Sequence, residues 1–307
     1  MNRPAAGWEP AGGDDVVLGI DAGGSRTRVR ATRHGEVIYE GAGGPGNPLT
    51  ADLETLHASY LAALGGCPLP AHVAACVSGA GSESRRAQIT DLLAGRFPGA
   101  DVLVVPDYVA AFLAAPAGTD VCVVAGTGSV VCSEAADGTY PVSGGRGWIL
   151  GDHGSATRLG RAALEQFVTD PASVNPPFAV AVESEFGDSD WRLVVSAVNS
   201  ARNPAPLLAR AAPLLTAAAE SKLRWAVDRL DAEMTALAAT AAAHIERHLS
   251  GAAELSVALS GGVWSSPLAR SSLTAALEQR CRCRVHVTRS SLEPVEGAVR
   301  LAARMRS

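Results

Sequence analysis

The stretch Val16-Val17-Leu18-Gly19-Ile20-Asp21-Ala22-Gly23-Gly24-Ser25-Arg26-Thr27 runs an apolar segment into a glycine-rich turn. Val16 to Ile20 reads as a strand and the glycines as a tight turn. A mixed polar and apolar run follows, then Arg33-His34-Gly35-Glu36, then Val37-Ile38-Tyr39. The pattern is strand, turn, strand, turn, strand. About a hundred residues later it recurs: Val121 to Ala125, then Gly126-Thr127-Gly128-Ser129, then Val130-Val131-Cys132, then Ala136-Asp137-Gly138 and a short run to Val142. Two meanders of one layout predict a duplicated core and two similar lobes.

The segments between and after the meanders give the fold class. Ala51 to Leu64 places Leu53, Leu56, Tyr60, Leu61 and Leu64 on one helical face. Val73 to Val77 reads as a strand, Arg86 to Leu93 as helix, and Val102 to Val105 as a strand. Strands alternating with helices predict an α/β fold with parallel pairing. Beyond the second meander, helices are expected over Gly154 to Val168, over Trp191 to Ser200 behind an Asp190 cap, and over the alanine-rich, interrupted stretch Ala211 to Leu249. Leu255 to Leu259 is a strand that runs into Ser260-Gly261-Gly262 and then a helix, and Glu296 to Met305 is a terminal helix after Pro294. Cys281 to Thr288 alternates at period two, which puts Cys281 and Cys283 on one face of a strand. With no second ligand pair at zinc spacing, the six scattered cysteines read as free thiols.

Composition narrows the function. The chain has 307 residues, 47% hydrophobic and 19% charged, enough apolar material for a large core. A net charge of -5 and 5% aromatics argue against a nucleic-acid surface. No apolar run reaches the roughly 18–20 residues of a membrane span. Met1 to Asp15 lacks the apolar core of a signal peptide and reads as a flexible tail. The expectation is a cytoplasmic enzyme.

Four places at strand ends carry candidate chemistry. In the first turn, the glycines allow backbone N–H groups to approach an anion, while Ser25, Thr27 and Arg26 add donors. Gly126-Thr127-Gly128-Ser129 repeats the design, and two such turns suit a polyphosphate. Neither has Walker spacing. Asp21 beside a phosphate cradle either needs a cation such as magnesium or accepts turn N–H bonds. Asp107, at the carboxyl end of an apolar strand, suits a general base and equally a helix N-cap. Asn47, in Gly43-Gly44-Pro45-Gly46-Asn47-Pro48, and Asp152, in the glycine-dense loop Gly144 to Ser155, are side chains of the kind that bind sugar hydroxyls. That loop also contains Trp148, Ile149 and Leu150, which an anchored ligand loop would fold back and bury.

Taken together, Gly19 to Thr27, Gly46-Asn47, Pro106-Asp107, Gly126 to Ser129, Gly144 to Ser155, Leu259 to Trp264 and Pro294 to Ala298 resemble the N-acetylglucosamine kinase group of the BadF/BadG/BcrA/BcrD ATPase family. That family lies within the superfamily of sugar kinases, actin and heat-shock ATPases. The resemblance implies two lobes of a duplicated actin-like, ribonuclease H-like fold, with nucleotide and sugar in the interlobe cleft. It implies a tail over 1–14, one lobe over 15–115 plus 293–307 and a second over 116–292. It implies transfer of phosphate from ATP, with Mg2+, to the 6-hydroxyl of N-acetylglucosamine or another hexosamine, in a homodimer. By the same resemblance Asp107 is the catalytic base, and Asn47, Asp107, Gly145, Arg146, Gly147, Trp148 and Asp152 contact the sugar. Gly23, Gly24, Ser25, Arg26 and Thr27, with Gly126, Thr127, Gly128 and Ser129, hold phosphates. Ser260, Gly261 and Gly262 hold the adenosine, and Asp21 acts on magnesium through water. Two positions depart from the family pattern: Arg146 stands where Trp is frequent, and His153 where Glu is frequent. A rival within the family, an ATPase activator of a CoA-ester dehydratase or reductase, needs a cluster-binding Gly-Cys-Gly loop, and no cysteine here has that context. A sugar-responsive repressor would need a helix-turn-helix, for which the stretch before Val16 is too short. A zinc-bearing hexokinase would need a Cys-rich loop.

Overall fold

The computed structural model describes residues 16–170, 174, 176–187 and 190–306. The expected tail lies outside them. Strand β1 (Val17–Ala22) is apolar at consecutive positions because both of its faces are covered: Val17, Leu18, Ile20 and Ala22 are all buried. It pairs antiparallel with β2 (Thr27–Arg33) and parallel with β4 (His72–Val77). β3 (Glu36–Gly43) extends the sheet on one side and β5 (Asp101–Pro106) on the other, giving the order β3-β2-β1-β4-β5. Helix α1 (Leu53–Leu64) connects β3 to β4 and α2 (Glu83–Arg96) connects β4 to β5.

The second sheet repeats the first. Strands β6 (Val121–Ala125), β7 (Ser129–Cys132), β8 (Val142–Gly144), β9 (Glu254–Ser260) and β10 (Arg284–Arg289) stand in the order β8-β7-β6-β9-β10. The meander is antiparallel, and β6, β9 and β10 are parallel, as in the first sheet. Helix α10 (Pro267–Arg280) takes the place of α2. Where the first unit has α1 alone, the second inserts α4 (Ala156–Thr169), α5 (Pro176–Phe186), α6 (Trp191–Ser200), α7 (Pro204–Arg210), α8 (Ala212–Glu220) and α9 (Arg224–His248). The chain thus forms two similar α/β lobes of a duplicated fold. One compact unit comprises residues up to Thr119 and from Ser290 on, the other Asp120–Arg289. Each has its own apolar core. Among the described residues no helix is long and apolar enough to cross a membrane.

Helix α11 (Pro294–Arg304) returns to the first unit and packs on β1 and on α3 (Asp107–Leu113). The approach is close enough that a Cβ on Gly19 would overlap the Val299 amide, and one on Gly297 the Ala110 carbonyl.

Several local expectations need correction. Asp107 is the first residue of α3, and Pro106 occupies the capping position, so Asp107 is not an N-cap. Leu53 and Leu61 are exposed, because α1 seats its small residues Ser59 and Ala63 on Gly43 and Gly41 of β3. The 211–249 stretch breaks at Lys222, whose φ of 62° is left-handed. Gly154, φ 73°, precedes α4, which Ser155 caps by accepting from the Arg158 amide. Cys281 and Cys283 are not in a strand: α10 persists to Arg280, and the ladder with β9 begins only at Arg284. Both are half-buried free thiols packed on the core. Helices α5 and α7, not assigned from the sequence, open on Pro176 and Pro204. At the first helical turn proline costs nothing, because its missing N–H would have had no partner there.

The close seat of α11 predicts opposite outcomes at two glycines. Gly19→Val should lower stability by about 3 kcal/mol or more in denaturant titrations. Gly95→Ala, on the open surface of α2 with nothing near its would-be Cβ, should raise it by about 0.5–1 kcal/mol.

Candidate functional site

The first unit gathers four polar side chains at the carboxyl ends of β1, β4 and β5. Asp21 lies beside Cys76 in the β1–β4 register, and Pro106, which precedes Asp107, pairs with Val77 of β4. Ser78 follows that strand, its amide donating to the Ala22 carbonyl at 2.8 Å. Asn47 is buried; its Oδ1 accepts from the Leu49 amide at 2.8 Å and its Nδ2 approaches Ser78 Oγ at 3.4 Å. A Cβ on Gly79, φ 78°, would overlap Asn47 Oδ1, so glycine there leaves room for the amide. Ser78 also hydrogen-bonds to Asp107. One hydroxyl therefore joins Asn47 to Asp107. Sequence reasoning passed over Ser78; the available signal was a hydroxyl residue immediately after a strand's carboxyl end.

The two carboxylates interact. Burial, and after it the nearby Asp107 charge, push the Asp21 carboxyl up to about 7 against the opposing charges of Arg26 and Arg28. Burial also raises Asp107, opposed by its bonds from Ser78 and from the Tyr108 and Asp107 amides. A cation would relieve both charges. Among the described residues no three His, Cys, Asp or Glu side chains group as metal ligands. That donor set fits Mg2+, which is held by one or two carboxylates, waters and substrate phosphates, and does not fit a closed protein cage.

The first turn is closed by the Gly23 amide on the Arg26 carbonyl at 2.8 Å; Ser25 and Arg26 are exposed, and the face of Gly24 is open. Thr27 differs from expectation: it is fully buried and donates its hydroxyl to the Gly44 carbonyl at 3.0 Å. The Gly46 amide donates to the Gly23 carbonyl at 2.9 Å. Thr27 thus ties the turn to the loop that carries Asn47.

The second unit repeats this tie. Ser129 is buried and donates to the His153 carbonyl at 2.8 Å. The Gly145 amide donates to Ser129, the Ala156 amide to Gly126, and Thr157 Oγ1 to Thr127 at 2.7 Å. The loop and the turn Gly126–Ser129 are one structure. Asp152, φ 51°, accepts from the Gly147 amide at 3.2 Å. Its Oδ2 would lie 2.9 Å from a Cβ on Gly128. Burial raises the Asp152 carboxyl, opposed by the Gly147 and Arg146 amides and the His153 charge. Ser129, Gly144, Arg146, Asp152 and His153 line one cavity of about 360 Å³. A larger cavity of about 780 Å³ lies at the ends of α9 and α10 and touches none of the motif residues.

Three further features hold this half in place. Gly261, φ 114°, abuts the Ala125 carbonyl so closely that a Cβ would overlap it, which sets Ser260-Gly261-Gly262 beside the second turn. Trp264 is fully buried and donates to the Val123 carbonyl at 3.2 Å. Glu233 of α9, nearly buried, accepts from the Gly154 amide at 2.9 Å and pairs with Arg158. No sequence signal marked Glu233, one of four acids in an alanine-rich helix. Of the apolar loop residues only Trp148 is anchored, against the core and under the Arg161 guanidinium. Ile149 and Leu150 are 68% and 84% exposed, contrary to expectation.

The model of the BadF/BadG/BcrA/BcrD ATPase family matches residues 18–302. The chain belongs to that family. Over 168 residues it is 31% identical to the N-acetylmuramic acid/N-acetylglucosamine kinase of Clostridium acetobutylicum, an alignment covering 49% of this chain and 54% of that protein, so the chain spans about half the length of this curated relative. A candidate N-acetylglucosamine kinase from Chromobacterium violaceum is 25% identical, with a TM-score of 0.67 over 94% of this chain and 99% of that one. A second candidate N-acetylglucosamine kinase, from Porphyromonas gingivalis, has the same fold at 18% identity, with a TM-score of 0.74 over 95% of this family member and 100% of that chain.

The raised Asp21 carboxyl predicts a pH dependence. Above the unfolded value of 3.8 the unfolded chain releases this proton while the folded chain keeps it up to about 7. The folded state binds more protons in that window, so stability without a cation falls as pH rises through it. Asp21→Asn should flatten the fall and gain on the order of 2 kcal/mol at pH 8, measured by urea titration at pH 5 and pH 8.

Proposed function

We propose that this family member is an ATP-dependent amino-sugar kinase that converts N-acetylglucosamine to N-acetylglucosamine 6-phosphate, with release of ADP. The carrying observation is Asp107: a carboxylate at the start of α3, coupled to Asp21 beside the first glycine turn and joined through Ser78 to Asn47. Phosphoryl transfer needs a hydroxyl held in line, a base for its proton, and stabilised phosphate charge. Asn47 and Asp152, with Gly145, Arg146, Gly147 and Trp148, bind the sugar. Asp107 accepts the proton of its 6-hydroxyl as that oxygen attacks the terminal phosphorus. Burial raises the carboxyl and so makes it a stronger base than an exposed aspartate.

The two glycine turns, Gly23, Gly24, Ser25 and Arg26 in the first unit and Gly126, Thr127 and Gly128 in the second, bind the phosphates; the Gly23 and Gly126 amides close these turns on the Arg26 and Gly128 carbonyls. Thr27 and Ser129 brace these turns. Ser260, Gly261 and Gly262 take the adenosine. Magnesium, held by Asp21 through water, would neutralise phosphate charge. Glucosamine or another hexosamine is the alternative acceptor. We take the reaction to be cytoplasmic, where ATP is supplied. The homodimer implied by the resemblance is checked by sedimentation equilibrium.

Asp107→Asn keeps the size of the side chain and most of its hydrogen bonding, but cannot take the proton. kcat should fall by on the order of 10²–10⁴ while the ATP affinity and the melting temperature stay near wild type. A variant that melts like wild type and keeps more than about a tenth of kcat removes Asp107 from the base role.

A further inference from the structure

The cavity of about 780 Å³ between the last turns of α9 and α10 contains none of the motif residues, and the phosphoryl transfer leaves it unused. Its wall carries the C-x-C pair. Cys281 follows directly on α10 in extended backbone, and the chain bends at Arg282 and Cys283 before β10 begins. Both thiols line this cavity, both are half-buried and free, and they lie close enough for the charge of one to act on the other. The other four cysteines, Cys67, Cys76, Cys122 and Cys132, are buried, and none lines the cavity.

Neighbouring thiols act as nucleophiles or as ligands. A nucleophile needs an easily lost proton in an electropositive setting. Here burial, and after it the Cys283 charge, raise the Cys281 thiol. The pair also sits where two helices end, and the last carbonyls of a helix favour positive charge over a bare thiolate. Such a setting suits a cation that replaces the thiol protons. Thiolates select soft ions. Among the described residues no third His, Cys, Asp or Glu completes a ligand group. Zn(II), which takes four ligands in a structural site, is therefore unsuited, whereas Cu(I) is satisfied by two sulfurs. We propose that Cys281 and Cys283 form a two-sulfur site for a soft monovalent cation of the Cu(I) type. On binding, two S–H bonds break, two Cu–S bonds form, and both protons pass to water. The product carries one net negative charge. Arg282 stands between the ligands in sequence and lines the same cavity; among the described residues it pairs with no carboxylate, and it supplies the opposite charge. The site is independent of the amino-sugar kinase reading.

The test is an anaerobic titration of the reduced full chain with Cu(I) in competition with a coloured Cu(I) chelator, bathocuproine disulfonate. Each wild-type chain should draw one ion from the chelator, and X-ray absorption at the copper edge should show two sulfur neighbours. Cys281→Ser and Cys283→Ser should each leave the copper with the chelator while melting near wild type. Arg282→Gln should weaken binding by on the order of 10-fold, the usual cost of removing a group that supports the ligands. Cys67→Ser, away from the cavity, should bind as wild type does. A chelator that keeps all of the copper from wild type refutes the site. Copper retained by the double Ser variant puts the ion on another cysteine and also refutes it. One ion for every two chains, or three or more sulfur neighbours, would make the ligand set a contact between copies, and the proposal falls. The stoichiometry and the sulfur count are read on wild type alone, so a Ser variant that fails to fold leaves the test intact.

Discussion

Two carboxylates of like charge, Asp21 and Asp107, share the carboxyl end of one sheet, at the ends of β1 and β5 with β4 between them. Burial makes ionisation costly for both, and burial together with the Asp107 charge drives Asp21 up to about 7. A fold optimised for stability alone would replace one of them. Their presence makes sense if a ligand supplies compensating charge, as a magnesium–phosphate group would. The glycine turn between β1 and β2, the Ser78 hydroxyl and the Asn47 amide are arranged around this pair. The strain is borne by a rigid frame: β1 is buried on both faces, and α11 is seated against it at Gly19.

The duplication explains how such a frame arises twice. In each unit a hydroxyl at the start of the second meander strand, Thr27 or Ser129, is buried and donates to a carbonyl of the loop that carries Asn47 or Asp152, Gly44 or His153. The same bond in both halves fixes a glycine turn to that loop. Turn and loop therefore move together, which suits a reaction whose rate depends on placing phosphate and hydroxyl in line. The halves also differ: the Asp21–Asp107 pair belongs to the first, and the second inserts the helices α4 to α9, from which Glu233 braces His153 and Gly154.

The sheets were legible because strand patterning and glycine turns are local signals. Asp21, Asn47, Asp107 and Asp152 could be read because each stands at the end of an apolar run or in a glycine-dense loop. Other features depend on where a chain of this length folds back. Thr27 looked like a free donor, since nothing nearby in sequence announces the Gly44 carbonyl. Ser78 became visible only once β4 was set between β1 and β5. The exposure of Ile149 and Leu150 could not be read from a loop whose neighbouring Trp148 is anchored. The Cys281–Cys283 alternation mimicked a strand because period two can arise by chance over a few residues, while the ladder partner in β9 decides where pairing starts.

One transfer reaction decides the function. Incubating the protein with ATP, magnesium and N-acetylglucosamine, and following the mixture by phosphorus NMR with proton correlation, observes that reaction directly. The predicted result is one ADP for each new sugar phosphate, with the phosphorus coupled to the protons on carbon 6. ADP accumulating without any phosphorylated sugar, whichever hexosamine is supplied, would contradict it.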